Sequence, residues 1–144
     1  MDIDISDTQN DVKIDKRYIK RLVKDILLSE GEEGPVEVSI AFVENETICR
    51  LNSKYRGVET ATDVLAFSME EKGLLGDVVI CPEVAMSNAA GMGHPVDEEI
   101  SLLVIHGMLH LLGYDHTDQT GKDAMWARQK ELLKKAQDKR TGIR

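Results

Sequence analysis

The chain has 144 residues, of which 42% are hydrophobic and 31% are charged, and its formal net charge is −8 at pH 7. This length fits one domain over residues 1–144 and leaves no room for a second domain with its own core. No apolar run reaches the roughly 18 residues that a membrane-spanning helix needs, and the N-terminus is acidic rather than a signal peptide, so we expect a cytoplasmic protein without membrane contact.

The two cysteines indicate neither a disulfide framework nor a thiolate metal site. Cys49 and Cys81 are far apart in the sequence, and neither belongs to a Cys-x-x-Cys pair. Thiols of a cytoplasmic protein stay reduced. We therefore predict that both cysteines are reduced residues of the core.

The first third of the sequence predicts two strands and two helices. Residues 1–6 alternate apolar and acidic side chains, which is typical of a short strand. Residues 16–29 repeat apolar side chains at helical spacing after Asp15, a residue type that suits a helix N-cap. Apolar side chains alternate again over 36–42, which predicts a second strand, and a second helix is expected from 44 or 45 to about 54.

The rest of the chain predicts a hairpin and then mostly helices. Strands are expected at 62–69 and 74–81, and the short Glu-Glu-Lys-Gly turn between them favours a hairpin. A helix follows from Pro82 to about 91, and a last helix runs from 118 or 120 to about 137. Strands come early and helices late, so the predicted fold class is α+β, with a small mixed β-sheet packed by helices.

The most apolar predicted helix follows His94-Pro95 and is expected at the centre of the fold. Residues 97–99 are acidic and suit the first turn, where the helix dipole favours negative charge. Residues 100–112 are apolar on nearly every side, which predicts burial. His106 and His110 in such a surface are costly to bury without a partner, and a metal ion is one such partner.

Three of the four histidines fall within residues 106–116, which read His-Gly-Met-Leu-His-Leu-Leu-Gly-Tyr-Asp-His. His106 and His110 are four apart, so they share one helix face. Gly113 suits the left-handed conformation that ends a helix, and the chain reversal would bring His116 to the first two rings. Three imidazoles suit a tetrahedral zinc ion with one open position. We predict one zinc ion per chain, with His106, His110 and His116 as its ligands.

The histidine spacing is that of the metzincin proteases, which favours a zincin-like site on the central helix. Metzincins have a glutamate directly after the first histidine, and this glutamate is the base that activates water. Gly107 occupies that position here and has no side chain to take a proton. A metal-dependent peptidase is therefore an alternative only with a base from elsewhere, for example Asp115.

The histidine run follows three further blocks: Leu51-Asn52-x-x-Tyr55-Arg56, Thr62-Asp63-Val64-Leu65 and Leu75-Gly76-Asp77. In this order the blocks resemble the YbeY family of bacterial rRNA maturation factors, over roughly residues 36–133. The family's usual Thr-Asp-Val-Leu-Ser-Phe block has Ala66 in place of the serine here, so no side-chain hydroxyl is available at that position.

The resemblance implies a zinc-dependent endoribonuclease that is specific for single-stranded RNA. Its implied roles are rRNA maturation, at the 3′ end of 16S rRNA, and ribosome quality control. Its implied partners are ribosomal RNA, the small ribosomal subunit and assembly factors. A non-catalytic ribosome-assembly factor, in which a zinc ion only braces the fold, is a further alternative.

Two residues outside the histidines are candidates for catalysis. Arg56 lies where the family has a functionally important arginine, and a guanidinium holds phosphate through two parallel hydrogen bonds; the alternative is a surface salt bridge. Asp115 either orients a ligand imidazole or accepts a proton from water. Asp63 and Asp77 are equally consistent with structural roles, and His94 is a weak candidate for a fourth metal ligand.

The charge is unevenly distributed along the chain. Residues 119–144 hold eight Lys or Arg against three Asp or Glu, whereas residues 1–118 hold ten against twenty-three. The basic tail either contacts RNA phosphates or is a solvated helix with cations near its C-terminus. Four aromatic residues are predicted to be core residues rather than surfaces on which bases stack: Tyr55, Phe67, Tyr114 and Trp126.

Overall fold

Strands and helices follow one another as βαβαββααα in residues 1–114 and 117–141, the part of the chain that the computed structural model describes. The strands are β1 (Asp2–Asp7), β2 (Glu37–Phe42), β3 (Val64–Glu71) and β4 (Leu74–Ile80). The helices are α1 (Lys16–Ser29), α2 (Asn45–Arg56), α3 (Pro82–Met92), α4 (Val96–Leu111) and α5 (Gln119–Thr141). The predicted bounds agree to within two residues, except that α5 continues for four residues beyond its predicted end.

The strands form one mixed sheet in the order β1-β2-β4-β3. β1 is parallel to β2, and helix α1 connects these two strands. β2 is also parallel to β4, because α2 and β3 lie between them in the chain and β3 runs in the opposite direction. β3 and β4 are antiparallel neighbours, so the predicted hairpin is confirmed. The predicted α+β class with a small mixed sheet is also confirmed.

Alternation along β4 divides the core between the two faces of the sheet. Val78 and Ile80 belong to the large cluster that includes the buried side chains of α1, α4 and α5. Val79 points the other way and joins a smaller cluster with Ile48 of α2. Successive side chains of a strand leave opposite faces, so α2 packs on one face of the sheet and α1, α4 and α5 pack on the opposite face.

α1 begins where the sequence predicts it. The Asp15 side chain accepts a hydrogen bond from the Tyr18 backbone N–H at 3.1 Å, as an N-cap should. The apolar stripe of α1 is buried; its members are Ile19, Leu22, Val23, Ile26 and Leu27.

α4 is the central helix, as predicted, and ten of its sixteen residues are buried. It packs against β3, β4, α1, α3 and α5. None of the helices in the described ranges is long and apolar enough to cross a membrane.

The prediction that both cysteines lie in the core is wrong for one of them. Cys81 is fully buried at the end of β4, whereas Cys49 is only half-buried on α2. The Cys49 Sγ contacts the Glu59 carbonyl oxygen at 3.8 Å. Both are free thiols in the structure.

Candidate active site

A cleft of about 590 Å³ lies between the end of α2, β3 and the middle of α4. It brings together two of the predicted metal ligands and the predicted phosphate-binding arginine. Its lining residues are Tyr55, Arg56, Thr62, Asp63, Val64, Leu65, Ala66, Phe67, His106 and His110.

His106 and His110 form a pair on one face of α4, as their spacing predicts. Their ring centroids are 4.7 Å apart and the ring planes meet at 73°. Both residues are half-buried at the cleft, although most of α4 is fully buried. Two imidazoles at this separation can face a shared ion.

Gln129 of α5 holds the ring of His106, a contact that sequence reasoning missed. The His106 Nδ1–H donates to Gln129 Oε1 across 2.6 Å, and the glutamine is buried, with 8% of its surface exposed. An amide oxygen only accepts hydrogen bonds, so the contact selects the tautomer with the proton on Nδ1 and the lone pair on Nε2. A neutral imidazole in this state is a competent metal ligand through Nε2.

Gly107 lies where α4 makes its closest approach to β4. A Cβ atom added to Gly107 would be only 2.5 Å from Val78 Cγ1. Such a contact is far inside van der Waals distance, so a side chain at this position would require Val78 to shift. Helix–sheet packing therefore disfavours the metzincin glutamate at position 107.

The chain after α4 has the predicted left-handed glycine. Gly113 has a φ of 98°, and the backbone N–H groups of Gly113 and Tyr114 donate to the carbonyl oxygens of His110 and Leu109. The predicted ligand His116 and the predicted catalytic residue Asp115 lie outside the described residues. Within 1–114 and 117–141, no three His, Cys, Asp or Glu side chains are grouped to hold a metal ion.

Tyr114, the last described residue before that gap, is tied to two helices. Its hydroxyl donates to Glu30 at 3.0 Å, and Arg128 Nε donates to the same carboxylate at 2.6 Å. Burial, and then the hydrogen bond to Glu30, raises the pKa of the Tyr114 hydroxyl. The hydrogen bond to Glu30 is also the largest cause that raises the pKa of Arg128. The end of α1 and the middle of α5 therefore fix the chain at the turn.

Arg56 is the last residue of α2, directly before Gly57, which has a φ of 69° and ends the helix. Its exposed side chain lines the cleft that also contains the two histidines. Arg56 takes part in none of the ion pairs between described residues. The salt-bridge alternative therefore has no support in the described part of the chain.

Thr62 and Asp63 line the cleft, and the segment that precedes them is hydrogen-bonded to α2. Asn52, which is 3% exposed, donates from Nδ2 to the Thr60 carbonyl oxygen at 2.8 Å. Asp63 lines the cleft and accepts a hydrogen bond from Asn88 at 3.4 Å. Asp63 is thus a carboxylate of the cleft. The sequence alone did not distinguish a functional role of Asp63 from a structural one.

Asp77 and His94 lie outside the cleft. Asp77 borders a depression on the sheet with Asp2 and Asp4. His94 Nε2 is 3.0 Å from the carboxylate of Glu99, a buried residue in the first turn of α4. The structure thus gives His94 a role in packing the start of α4.

The prediction that the aromatic residues are core residues is wrong for two of the four. Tyr55 is 57% exposed and Trp126 is 62% exposed. Tyr55 lies in the last turn of α2, and its ring meets Phe67 of β3 edge-to-face. Phe67 and Tyr114 are half-buried and pack against the core clusters, in better agreement with the prediction.

The basic tail is partly neutralised within the fold. Lys139 bonds Asp25 at 2.8 Å, and Arg140 lies 4.0 Å from the ring centroid of Tyr18. Arg140 is also 3.8 Å from Asp97 of α4. These contacts favour the interpretation of the tail as a solvated helix that packs on α1 and α4.

Comparison with known proteins places the cleft in a family context. The family model described as Endoribonuclease YbeY matches residues 4–137. The Endoribonuclease YbeY of Moorella thermoacetica is 37% identical over 149 residues, covering 92% of this chain and 96% of that protein. The protein of the same name from Finegoldia magna is 39% identical over 142 residues, covering 93% of each.

A solved structure is also similar. The solution structure of TM1509 from Thermotoga maritima superposes with a TM-score of 0.73 at 27% sequence identity. The match covers 97% of this chain and 92% of that one. The fold is therefore shared along nearly the whole length of both chains.

Proposed function

Because the chain belongs to the Endoribonuclease YbeY family, we propose that it is an endoribonuclease of one domain that cleaves single-stranded RNA during rRNA maturation. The observation that carries the proposal is the single cleft that contains both the histidine pair and Arg56. The proposed substrate is ribosomal RNA in the cytoplasm, at the 3′ end of 16S rRNA. The proposed partners are the small ribosomal subunit and its assembly factors, and ribosome quality control is the proposed wider role.

The donor set fits a divalent metal ion, and we propose one zinc ion. His106 and His110 face one cleft from adjacent helical turns, and the Gln129 contact sets His106 in the tautomer that presents Nε2. His116 is the proposed third ligand, from beyond the glycine turn. A bound zinc ion supplies a Lewis acid for the phosphoryl group and lowers the pKa of bound water.

Arg56 is proposed to hold the scissile phosphate. Its guanidinium is exposed in the cleft, so it can meet two phosphate oxygens through parallel hydrogen bonds. The same contact stabilises the negative charge that develops on these oxygens in the transition state. Arg56 thus both positions the RNA backbone and favours its cleavage.

The attacking hydroxyl loses a proton during cleavage, and two carboxylates are proposed as its acceptor. Asp115 is the candidate from the sequence motif, and Asp63 is the one that lines the described part of the cleft. Replacement of each by asparagine, followed by a pH–rate profile, separates them. The residue whose replacement removes the acidic limb of the profile is the proton acceptor.

The absence of a side chain at Gly107 argues against peptide hydrolysis. The position that provides the base in metzincins is here Gly107, which packs closely against Val78 and has no side chain. A peptide-library digest should therefore give no cleavage under conditions in which RNA is cut.

The test of the proposal is cleavage of a labelled single-stranded RNA by purified protein, with and without a chelator. We expect chelator or His110→Ala to abolish cleavage, and Arg56→Ala to reduce kcat/KM by roughly 100-fold or more, while the zinc content is retained. Arg50→Ala is the matched control, because Arg50 is an exposed arginine of the same helix that does not line the cleft. Cleavage that survives both chelator and His110→Ala would refute the proposal.

A further inference from the structure

We propose that Tyr55 forms a subsite on which one unpaired nucleobase of the RNA stacks, an inference that rests on the proposed function. Tyr55 lines the cleft that contains Arg56 and the histidine pair, yet 57% of its surface is exposed. An exposed aromatic ring contributes little to folding, because most of its apolar area stays in water. Its area is instead available to a flat apolar ligand at the mouth of the cleft.

The ring of Tyr55 is held in place although it is exposed. Phe67 of β3 meets it edge-to-face, with ring centroids 5.1 Å apart and an angle of 64° between the planes. Phe67 itself is half-buried and packs with Leu65 and Val79. A surface that is already oriented loses less conformational entropy when a ligand binds, so this pair suits binding.

Two cations neighbour Tyr55. The Lys54 ammonium lies over one face of the Tyr55 ring, 5.2 Å from its centroid, and Arg56 lines the same cleft as Tyr55. Lys54 is exposed, so its flexible side chain can give way to a base that stacks on the ring. An aromatic surface beside positive side chains is the arrangement that binds single-stranded nucleic acid with little sequence preference.

The size of the cleft and the position of Tyr55 select unpaired RNA. A volume of about 590 Å³ is that of a pocket for one small molecule, which matches a single nucleotide and is too small for a duplex. Bases within a duplex already stack on both faces and cannot reach a ring at the rim. Tyr55 would therefore be a source of the single-strand preference.

The experiment uses a short single-stranded RNA with one cleavage site and replaces one nucleotide at a time by an abasic ribose. For the wild-type protein we expect one position at which the missing base lowers kcat/KM by about 5- to 150-fold. In Tyr55→Ala the same substrate should show no such loss, since the platform is gone. Tyr55→Phe, which keeps the ring, should behave as wild type.

Trp126→Ala is the matched control, because Trp126 is equally exposed but does not line the cleft. It should retain the wild-type profile. The inference is overturned if wild type shows no sensitive position, or if Tyr55→Ala keeps the same sensitivity. An RNA that carries the fluorescent base 2-aminopurine at the sensitive position provides a binding signal without cleavage, and quenching that depends on Tyr55 is expected.

The two failures are distinguishable. If the protein binds the 2-aminopurine RNA with Tyr55-dependent quenching but never cuts RNA, the proposed function fails and the stacking subsite stands. If it cuts RNA but the quenching is the same in Tyr55→Ala, the subsite fails and the nuclease stands.

Discussion

Gln129 accepts a 2.6 Å hydrogen bond from His106 Nδ1, so a residue of the last helix orients a predicted metal ligand of the central helix. The glutamine is buried between α4 and α5, and we propose no other role for it in the cleft. Partners of this kind fix both the orientation and the tautomer of a ligand imidazole. The geometry of the active site therefore depends on how α5 packs against α4.

Gln129→Ala should weaken zinc binding. Loss of the acceptor removes the hydrogen bond that fixes the orientation and tautomer of the His106 ring, and removal of such a partner typically costs 10- to 100-fold in metal affinity. The measurement is competition for zinc with a chromophoric chelator. Gln137→Ala, an exposed glutamine of the same helix that bonds Glu98, is the control and should bind zinc as wild type does. Equal affinities for both variants would contradict the assigned role.

Asn52→Ala should loosen the cleft wall. It removes the 2.8 Å hydrogen bond to the Thr60 carbonyl and leaves that oxygen without its side-chain donor, at a cost of about 1–3 kcal/mol in the free energy of unfolding. Urea denaturation measures the loss. RNA cleavage should fall as well, because Thr62 and Asp63 of the cleft follow shortly after Thr60. Ser53→Ala, at the exposed neighbouring position, should change neither quantity.

Asn52→Asp should be more damaging than Asn52→Ala. Asn52 Oδ1 is the buried side-chain oxygen that lacks a hydrogen-bond partner within the described ranges. A carboxylate at this site would be a buried charge facing the Thr60 carbonyl oxygen, with no donor nearby. A melting temperature of Asn52→Asp equal to or above that of Asn52→Ala would contradict this account.

The hydrogen-bond network of Tyr114, Glu30 and Arg128 should make the free energy of unfolding depend on pH in the alkaline range. The raised pKa of Tyr114 means that the folded protein keeps this proton more tightly than the unfolded chain does. Its contribution is therefore fully present below the ordinary tyrosine pKa of about 10 and is lost as pH rises through the folded value. Unfolding free energies from pH 8 to 11 should fall less steeply for Tyr114→Phe than for wild type.

Glu30→Gln tests the same network at neutral pH. The change removes the charge that Arg128 Nε meets at 2.6 Å, while it keeps an acceptor oxygen. Both side chains are less than one-fifth exposed, so we expect a loss of about 1–3 kcal/mol in unfolding free energy. Glu131→Gln is a useful control, because Glu131 pairs with Arg128 from a far more exposed position and should cost much less.

The two cysteines should react very differently with a thiol reagent. Burial is the largest cause that raises the pKa of the Cys81 thiol, so Cys81 should stay protonated and shielded at pH 8. Cys49 is half-buried and should react in the native protein. Titration with Ellman's reagent should count one thiol in the native protein and two in urea. Cys49→Ser should leave no reactive thiol before denaturation.

Features that depend on neighbouring residues could be predicted from the sequence. Asp15 caps α1 through a contact three residues away, and the hairpin of β3 and β4 needs only its own short turn. The shared face of His106 and His110 follows from helical spacing alone. These elements arise from local rules, so their positions and types agree with the structure.

Features that depend on packing between distant elements could not be predicted. The Gln129 contact requires α5 to run back along α4, and helical periodicity does not fix that pairing. An aromatic residue by itself predicts burial, but Tyr55 is exposed, because exposure depends on which other elements pack around the end of α2. His94 is a different case: its partner Glu99 is only five residues away, but the contact depends on the geometry of the turn at the start of α4.

The contact between Gly107 and Val78 sets a condition for anyone who wishes to redesign this cleft. An acidic residue at position 107 would displace the Val78 side chain and destabilise the fold, so a library that varies one codon at a time should return few stable acidic variants there. A shorter residue at position 78 would remove this contact. Conversion of this fold into a peptidase therefore calls for coupled substitutions at Gly107 of α4 and Val78 of β4.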